Sequence, residues 1–169
     1  MMCVINYLKH QKLISIGRSC DLLWINLGQK MFIKNYCGDK IQTGEYVLDF
    51  QCPWRIEDEQ AHVKLASSDM YVPPSGVEWS DTFDWEPQGN NLFDEKIKNV
   101  FTQNTNIYVN DIYLSRNGDL ELFFSNKLVF RCFVNSSIDE ECWRFFSRTS
   151  KDIELIITGT FNSNENICD

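Results

Sequence analysis

A chain of 169 residues, 43% hydrophobic and 24% charged, with a net charge of −8, has the size and composition of one folded domain and lies outside the disordered class. Its apolar runs stop short of the roughly 18 residues a membrane-crossing helix needs, so no membrane partner is expected. No small-residue cleavage site follows the apolar stretch Leu22–Gln29, and Arg18 and Asp21 stand just before it, so a secretory signal is not expected and the expected compartment is the cytoplasm.

Strand periodicity dominates from the N-terminus onward. Ile14, Ile16, Cys20, Leu22 and Trp24 recur with period two, and Leu23, Ile25 and Leu27 take over the other face. Gly28-Gln29 offers a turn, with Met31-Phe32-Ile33 as a returning strand. A second extended run covers 45–56, where Tyr46, Leu48, Phe50 and Cys52 alternate. Pro53 has no amide hydrogen, which places it at an edge, a bulge or a strand end. A third strand is expected over 62–71, closed by Pro73-Pro74.

The stretch 73–90 lacks periodicity and reads as a long loop. Asn91 then caps a helix with Asp94 and Glu95 in its first turn, and Phe93, Ile97, Val100 and Phe101 form one apolar stripe. A strand over 107–114 runs into Asn117-Gly118, the strongest short hairpin signal, and Leu120, Leu122 and Phe124 follow on one face. The chain turns again at Ser125-Asn126-Lys127 and returns through Leu128, Phe130, Cys132 and Val134. Ser137-Ile138-Asp139-Glu140 reads as a capping box for one or two helical turns. A β-branched strand over 153–161 closes the fold, and the polar tail 162–169 is expected to fray. About seven or eight strands with short connections predict antiparallel pairing. The fold class is therefore α+β in a single domain, 1–169: a predominantly antiparallel β sandwich or half-open barrel with one amphipathic helix.

The chemistry-bearing residues point away from catalysis. The seven cysteines are odd in number and form no Cys-x-x-Cys pair, which favours free, mostly buried thiols over a disulfide framework. With only His10 and His62 available and no metal-ligand spacing, no metal site is expected. No Gly-rich phosphate loop is present, and no cofactor is expected. Gly17-Arg18-Ser19-Cys20 would let Arg18 lower the Cys20 thiol, but the alternation assigns Cys20 to the core. Carboxylate pairs abound by chance in so acidic a chain, so no catalytic residues are assigned and an enzyme is not expected.

Charge is the more informative signal. Residues 1–38 carry a net +4 and the rest a net −12. Glu57-Asp58-Glu59 is one acidic cluster. Glu78, Asp81, Asp84 and Glu86 form another, interleaved with Trp79, Phe83 and Trp85. Aromatics framed by carboxylates suit a basic partner: the rings supply anchor area, and the acids steer association. The alternative for the same residues is that Trp79, Phe83 and Trp85 fold back into the core while the acids face water. The net charge disfavours nucleic acid.

Two short pairs, Trp54-Arg55 and Trp143-Arg144, suggest core anchors whose arginines stack or pair with acids. The run Glu45-Tyr46-Val47-Leu48-Asp49-Phe50-Gln51-Cys52-Pro53-Trp54-Arg55-Ile56 and the following Ser67-Ser68-Asp69-Met70-Tyr71-Val72-Pro73 resemble a family of small uncharacterised bacterial cytoplasmic proteins, with a strand ending in Trp-Arg-Ile. Phe93-Asp94-Glu95-Lys96-Ile97 and Glu141-Cys142-Trp143-Arg144-Phe145 are similar to its remaining landmarks. The resemblance implies a polymorphic-toxin immunity protein, a small acidic domain that neutralises a toxin by binding it, and it supplies no catalytic residues. The expected function is thus a non-enzymatic inhibitor of a basic toxin domain, with Glu78, Trp79, Asp81, Phe83, Asp84, Trp85 and Glu86 as partner-binding residues. The alternative is a small-ligand-binding β-barrel, whose cavity the 14% of aromatic residues would line.

Overall fold

The computed structural model describes residues 4–35, 37–101 and 106–162. Ten strands form: β1 (Leu13–Ser19), β2 (Leu22–Lys34), β3 (Lys40–Phe50), β4 (Trp54–Glu57), β5 (Val63–Ala66), β6 (Val109–Leu114), β7 (Leu120–Phe124), β8 (Val129–Cys132), β9 (Glu141–Ser147) and β10 (Glu154–Thr158). One helix, α1 (Leu92–Phe101), and two 3-10 turns, Val4–Leu8 and Ser67–Tyr71, complete the described elements. No described helix is long and apolar enough to cross a membrane.

The strands make two five-stranded sheets, β1-β2-β3-β9-β10 and β5-β4-β8-β7-β6, and every pairing is antiparallel. They stack as a sandwich over one core. Leu23, Ile25, Leu27, Leu48, Phe50, Trp143 and Phe145 face inward from the first sheet, and Trp54, Ile56, Leu120, Leu122 and Phe130 from the second. Along one seam the sheets are also joined by backbone hydrogen bonds. His10 N–H donates to Val109 (2.7 Å), Leu13 N–H to Ile107 (2.8 Å), and Val109 N–H to Gln11 (2.9 Å). The sandwich is closed on that side like half of a barrel, and the outer edge of β1 is not left bare there.

The chain changes sheet at 51–53. Gln51 and Cys52 both donate to the Cys142 carbonyl, and the Pro53 carbonyl accepts from Phe133. Pro53, with no hydrogen to give, stands between β3 and β4, at a strand end as its chemistry requires.

Four elements differ from the sequence expectation. The strand expected over 62–71 stops at Ala66, and Ser67–Tyr71 is a 3-10 turn whose Asp69 carboxylate accepts from Ala66 N–H. Gly28-Gln29 is a bulge within one long β2, not a turn. Gly28 takes φ +88°, and pairing with β3 resumes at Lys30↔Gly44. The turn lies later, at 35–39, where the Asn35 side chain accepts from the Cys37 and Asp39 backbones. Ser137–Glu140 forms bends and no helix, because β9 begins at Glu141 and must slot between β3 and β10; this pairing overrides the local capping signal. Cys20 is exposed at φ +53° in the β1–β2 turn and is not a core residue.

Other expectations hold. The Asn117-Gly118 hairpin joins β6 to β7 with Gly118 at φ +94°. Trp54 and Trp143 are buried core anchors, and Arg55 and Arg144 pair with Glu57 and Glu141. All five described cysteines are free thiols, with Cys52, Cys132 and Cys142 buried. Most of the expected frayed tail, 163–169, lies outside the described residues.

Gly44 is where a close approach demands glycine. A Cβ there would stand 2.6 Å from the Leu27 backbone nitrogen and closer still to its carbonyl oxygen. Backbone cannot yield as a side-chain tip can, so Gly44→Ala is expected to destabilise by about 3 kcal/mol, at the upper end for overpacking. Urea unfolding of the variant checks this, and an unchanged midpoint would refute the constraint.

Candidate functional site

The 73–90 loop leaves the 67–71 turn and returns into α1. It is built from successive hydrogen-bonded turns: Val77 N–H to Pro74, Phe83 N–H to Ser80, and Asn90 N–H to Pro87. Its two ends are tied to the helix. Leu92 N–H donates to the Val72 carbonyl (2.8 Å), and Ser75 N–H to the Glu95 carboxylate (2.7 Å). Asn91 caps α1 by accepting from Asp94 N–H (2.9 Å), and its amide also donates to the Trp85 carbonyl (3.0 Å).

The centre of this anchoring is Arg18. Its side chain is 0% exposed and faces that of Asp94, at 7%. Nε and Nη2 grip the Asp94 carboxylate at 3.0 and 2.7 Å. Nη2 also lies 3.0–3.2 Å from the carbonyls of Trp85, Glu86 and Pro87, and Nη1 donates to Cys20 (3.1 Å). Asp94 accepts in addition from Gly89 N–H (2.7 Å). One buried guanidinium thus binds β1, the β1–β2 turn, the loop and the helix together. Arg18 is directed at Asp94 and not at the Cys20 thiol; it touches only the Cys20 carbonyl.

Burial alone would raise the Asp94 pKa, but the Arg18 hydrogen bonds and the Gly89 N–H outweigh it and hold the carboxyl below its ordinary 3.8. A carboxylate lowered on folding stabilises fully above its ordinary value, and that stabilisation is lost as pH falls through the lowered one. The loop is therefore expected to stay docked at pH 5 and to release only in strong acid. Pepsin cleavage within 73–90, followed between about pH 2 and 4, checks this; equal protection of the loop in native protein and in Asp94→Asn throughout that range would contradict it.

Each sequence-predicted site residue lies on this loop. Glu78, Asp81, Asp84 and Glu86 are exposed, and among the described residues none forms an ion pair. Trp79 is 66% exposed, and its ring packs on that of the half-buried Phe83, with centres 5.5 Å apart. Trp79 therefore does not fold into the core. Trp85 is half-buried and separate from that pair, edge-on to Tyr71 at 4.9 Å. The Tyr71 hydroxyl donates to Asp21 (3.1 Å), adding a second link to the β1–β2 turn. Sequence reasoning found the loop and its helix cap but missed Arg18, Asp94 and Tyr71 as its supports.

The other acidic cluster is neutralised internally. Glu57 accepts from Arg55 and Arg131, Asp58 pairs with Lys64 and His62, and Glu59 with Lys127. Aromatic side chains fill the space between the sheets: Phe50 packs on Phe130 (4.6 Å) and Trp143 (5.9 Å), and Trp54 on Phe93 (5.8 Å). Among the described residues no group of three His, Cys, Asp or Glu side chains could hold a metal ion. No family model, curated protein or solved structure matches the chain.

Proposed function

We propose that the chain is a non-enzymatic binding protein of the immunity type, which neutralises a basic toxin domain through its 73–90 loop. The observation that carries this reading is an exposed tryptophan among four unpaired carboxylates on a loop held by a buried ion pair. Each part has a physical use. Unpaired acids set up a negative field that speeds encounter with a basic surface. Trp79 offers a large apolar face at one point, the form of a binding hot spot. The Arg18 anchor keeps the loop ordered before contact, so less conformational freedom is lost on binding.

The test co-expresses the chain with the product of the reading frame directly upstream of its own, where the proposal expects a toxin domain. Protection of growth, lost when Trp79→Ala is combined with amides at Glu78, Asp81, Asp84 and Glu86, supports the reading. Absence of a toxin there, or protection unaffected by these changes, overturns it.

A further inference from the structure

We infer that the chain associates with a second copy of itself, the tip of its β2–β3 ribbon meeting the 73–90 loop of the other copy. This contact needs no outside partner, although it occupies the same loop that the proposed function assigns to the toxin domain.

The ribbon is set by the pairing pattern. β2 meets β1 only through Leu22–Leu27, and β3 meets β9 only through Tyr46–Phe50. Among the described strands the segments Lys30–Lys34 and Lys40–Gly44 pair only with each other; Thr43 and Gly44 at their base are buried, and the two strands run on from there past the ends of β1 and β9. Alternation along a strand puts Lys30, Phe32 and Lys34 on one face, and the opposed pairs Lys34↔Lys40 and Phe32↔Gln42 bring Lys40 onto it. Phe32 is 52% exposed, with Lys40 Nζ 4.4 Å and Lys30 Nζ 5.5 Å from its ring centre. Lys30, Lys34 and Lys40 form no ion pair with a described residue. The tip is an exposed aromatic ringed by unpaired ammonium groups.

The 73–90 loop is its counterpart: an exposed Trp79 packed on a half-buried Phe83, with four carboxylates that pair with no described residue and no Lys, Arg or His. The loop is anchored at the β1–β2 turn, where β2 begins, and the ribbon tip is where β2 ends. Thirteen residues of strand separate them by roughly 40 Å. The two patches of one copy cannot reach each other, so the complementary signs can be matched only between copies. Opposed charge would guide the approach, and the desolvated Phe32 and Trp79 rings would hold it.

Sedimentation velocity of the full chain tests this, at about 10 mM ionic strength, where the screening length is about 30 Å, and at about 1 M, where it is about 3 Å. At low ionic strength the sedimentation coefficient should rise with protein concentration; at high ionic strength only the 19.8 kDa species should remain. Lys30→Glu/Lys34→Glu/Lys40→Glu should be monomeric alone, and so should the loop variant with amides at Glu78, Asp81, Asp84 and Glu86. Mixed, they should associate again, because the intact loop of one meets the intact ribbon of the other. Circular dichroism confirms that each is folded, and glutamine at the three lysines replaces the glutamate set should that set not fold. A monomer under all conditions, self-association persisting in either variant, or a mixture of folded variants that stays monomeric would overturn the inference.

Discussion

Replacing Arg18 by methionine is expected to cost about 3–5 kcal/mol, because it leaves the Asp94 carboxylate buried without its countercharge. That is a large share of a total stability of about 5–15 kcal/mol. The loss should be local first. Three carbonyls, those of Trp85, Glu86 and Pro87, lose a donor together, so the 85–89 stretch should detach before the sandwich opens. A double variant, Arg18→Met with Asp94→Leu, should recover much of the global stability, since a buried pair replaced by apolar side chains is often neutral. It should not restore the loop, because the Trp85, Glu86 and Pro87 carbonyls still lack the Arg18 donor. Urea unfolding reads the first effect and protease sensitivity at 76–89 the second. Native stability with a protected loop in Arg18→Met would end the claim that this residue holds the site.

The second large effect concerns binding. Trp79→Ala should raise the dissociation rate of a basic partner about 30-fold, the equivalent of a 2 kcal/mol hot spot. It should leave the unfolding transition unchanged, because the ring is mostly in water and its ring contact is with the half-buried Phe83. The amide variants at Glu78, Asp81, Asp84 and Glu86 should act on the other rate constant, slowing association and flattening its dependence on salt. Kinetics at two salt concentrations with the toxin domain separate the two. A Trp79→Ala protein that unfolds easily, or that releases its partner at the native rate, would remove Trp79 from the interface.

What was legible in the sequence followed from local chemistry. The β6–β7 hairpin was readable because Asn-Gly accepts the positive φ that Gly118 adopts. Helix α1 was readable because Asn91 caps it and its apolar stripe has helical spacing. The errors arose where distant partners decide. Gly28 looks like a turn until β3 pairs on both sides of it. Ser137–Glu140 looks like a helix start until β9 is claimed by β3 and β10. The candidate loop was found from its missing periodicity, but the exposure of Trp79 was not readable, since alternating aromatic and acidic residues suit core and surface equally. Arg18 and Asp94 are 76 residues apart, and no periodicity links an arginine to a carboxylate at that distance.

The hydrogen bonds between residues 10–13 and 107–109 carry a consequence for how the molecule comes into being. They join positions nearly a hundred residues apart in sequence, so the first strand has no closing partner along that edge until most of the chain has been made. Contacts of such long range are the slow ones, because a large loop must be ordered before it yields any bonding. The chain should therefore fold on the millisecond-to-second scale of non-local β proteins. While it waits, the free margin of β1 is a template onto which a neighbouring nascent chain could add a strand. Yield on refolding should fall as protein concentration rises, even though in the finished sandwich the start of that margin is closed at Leu13.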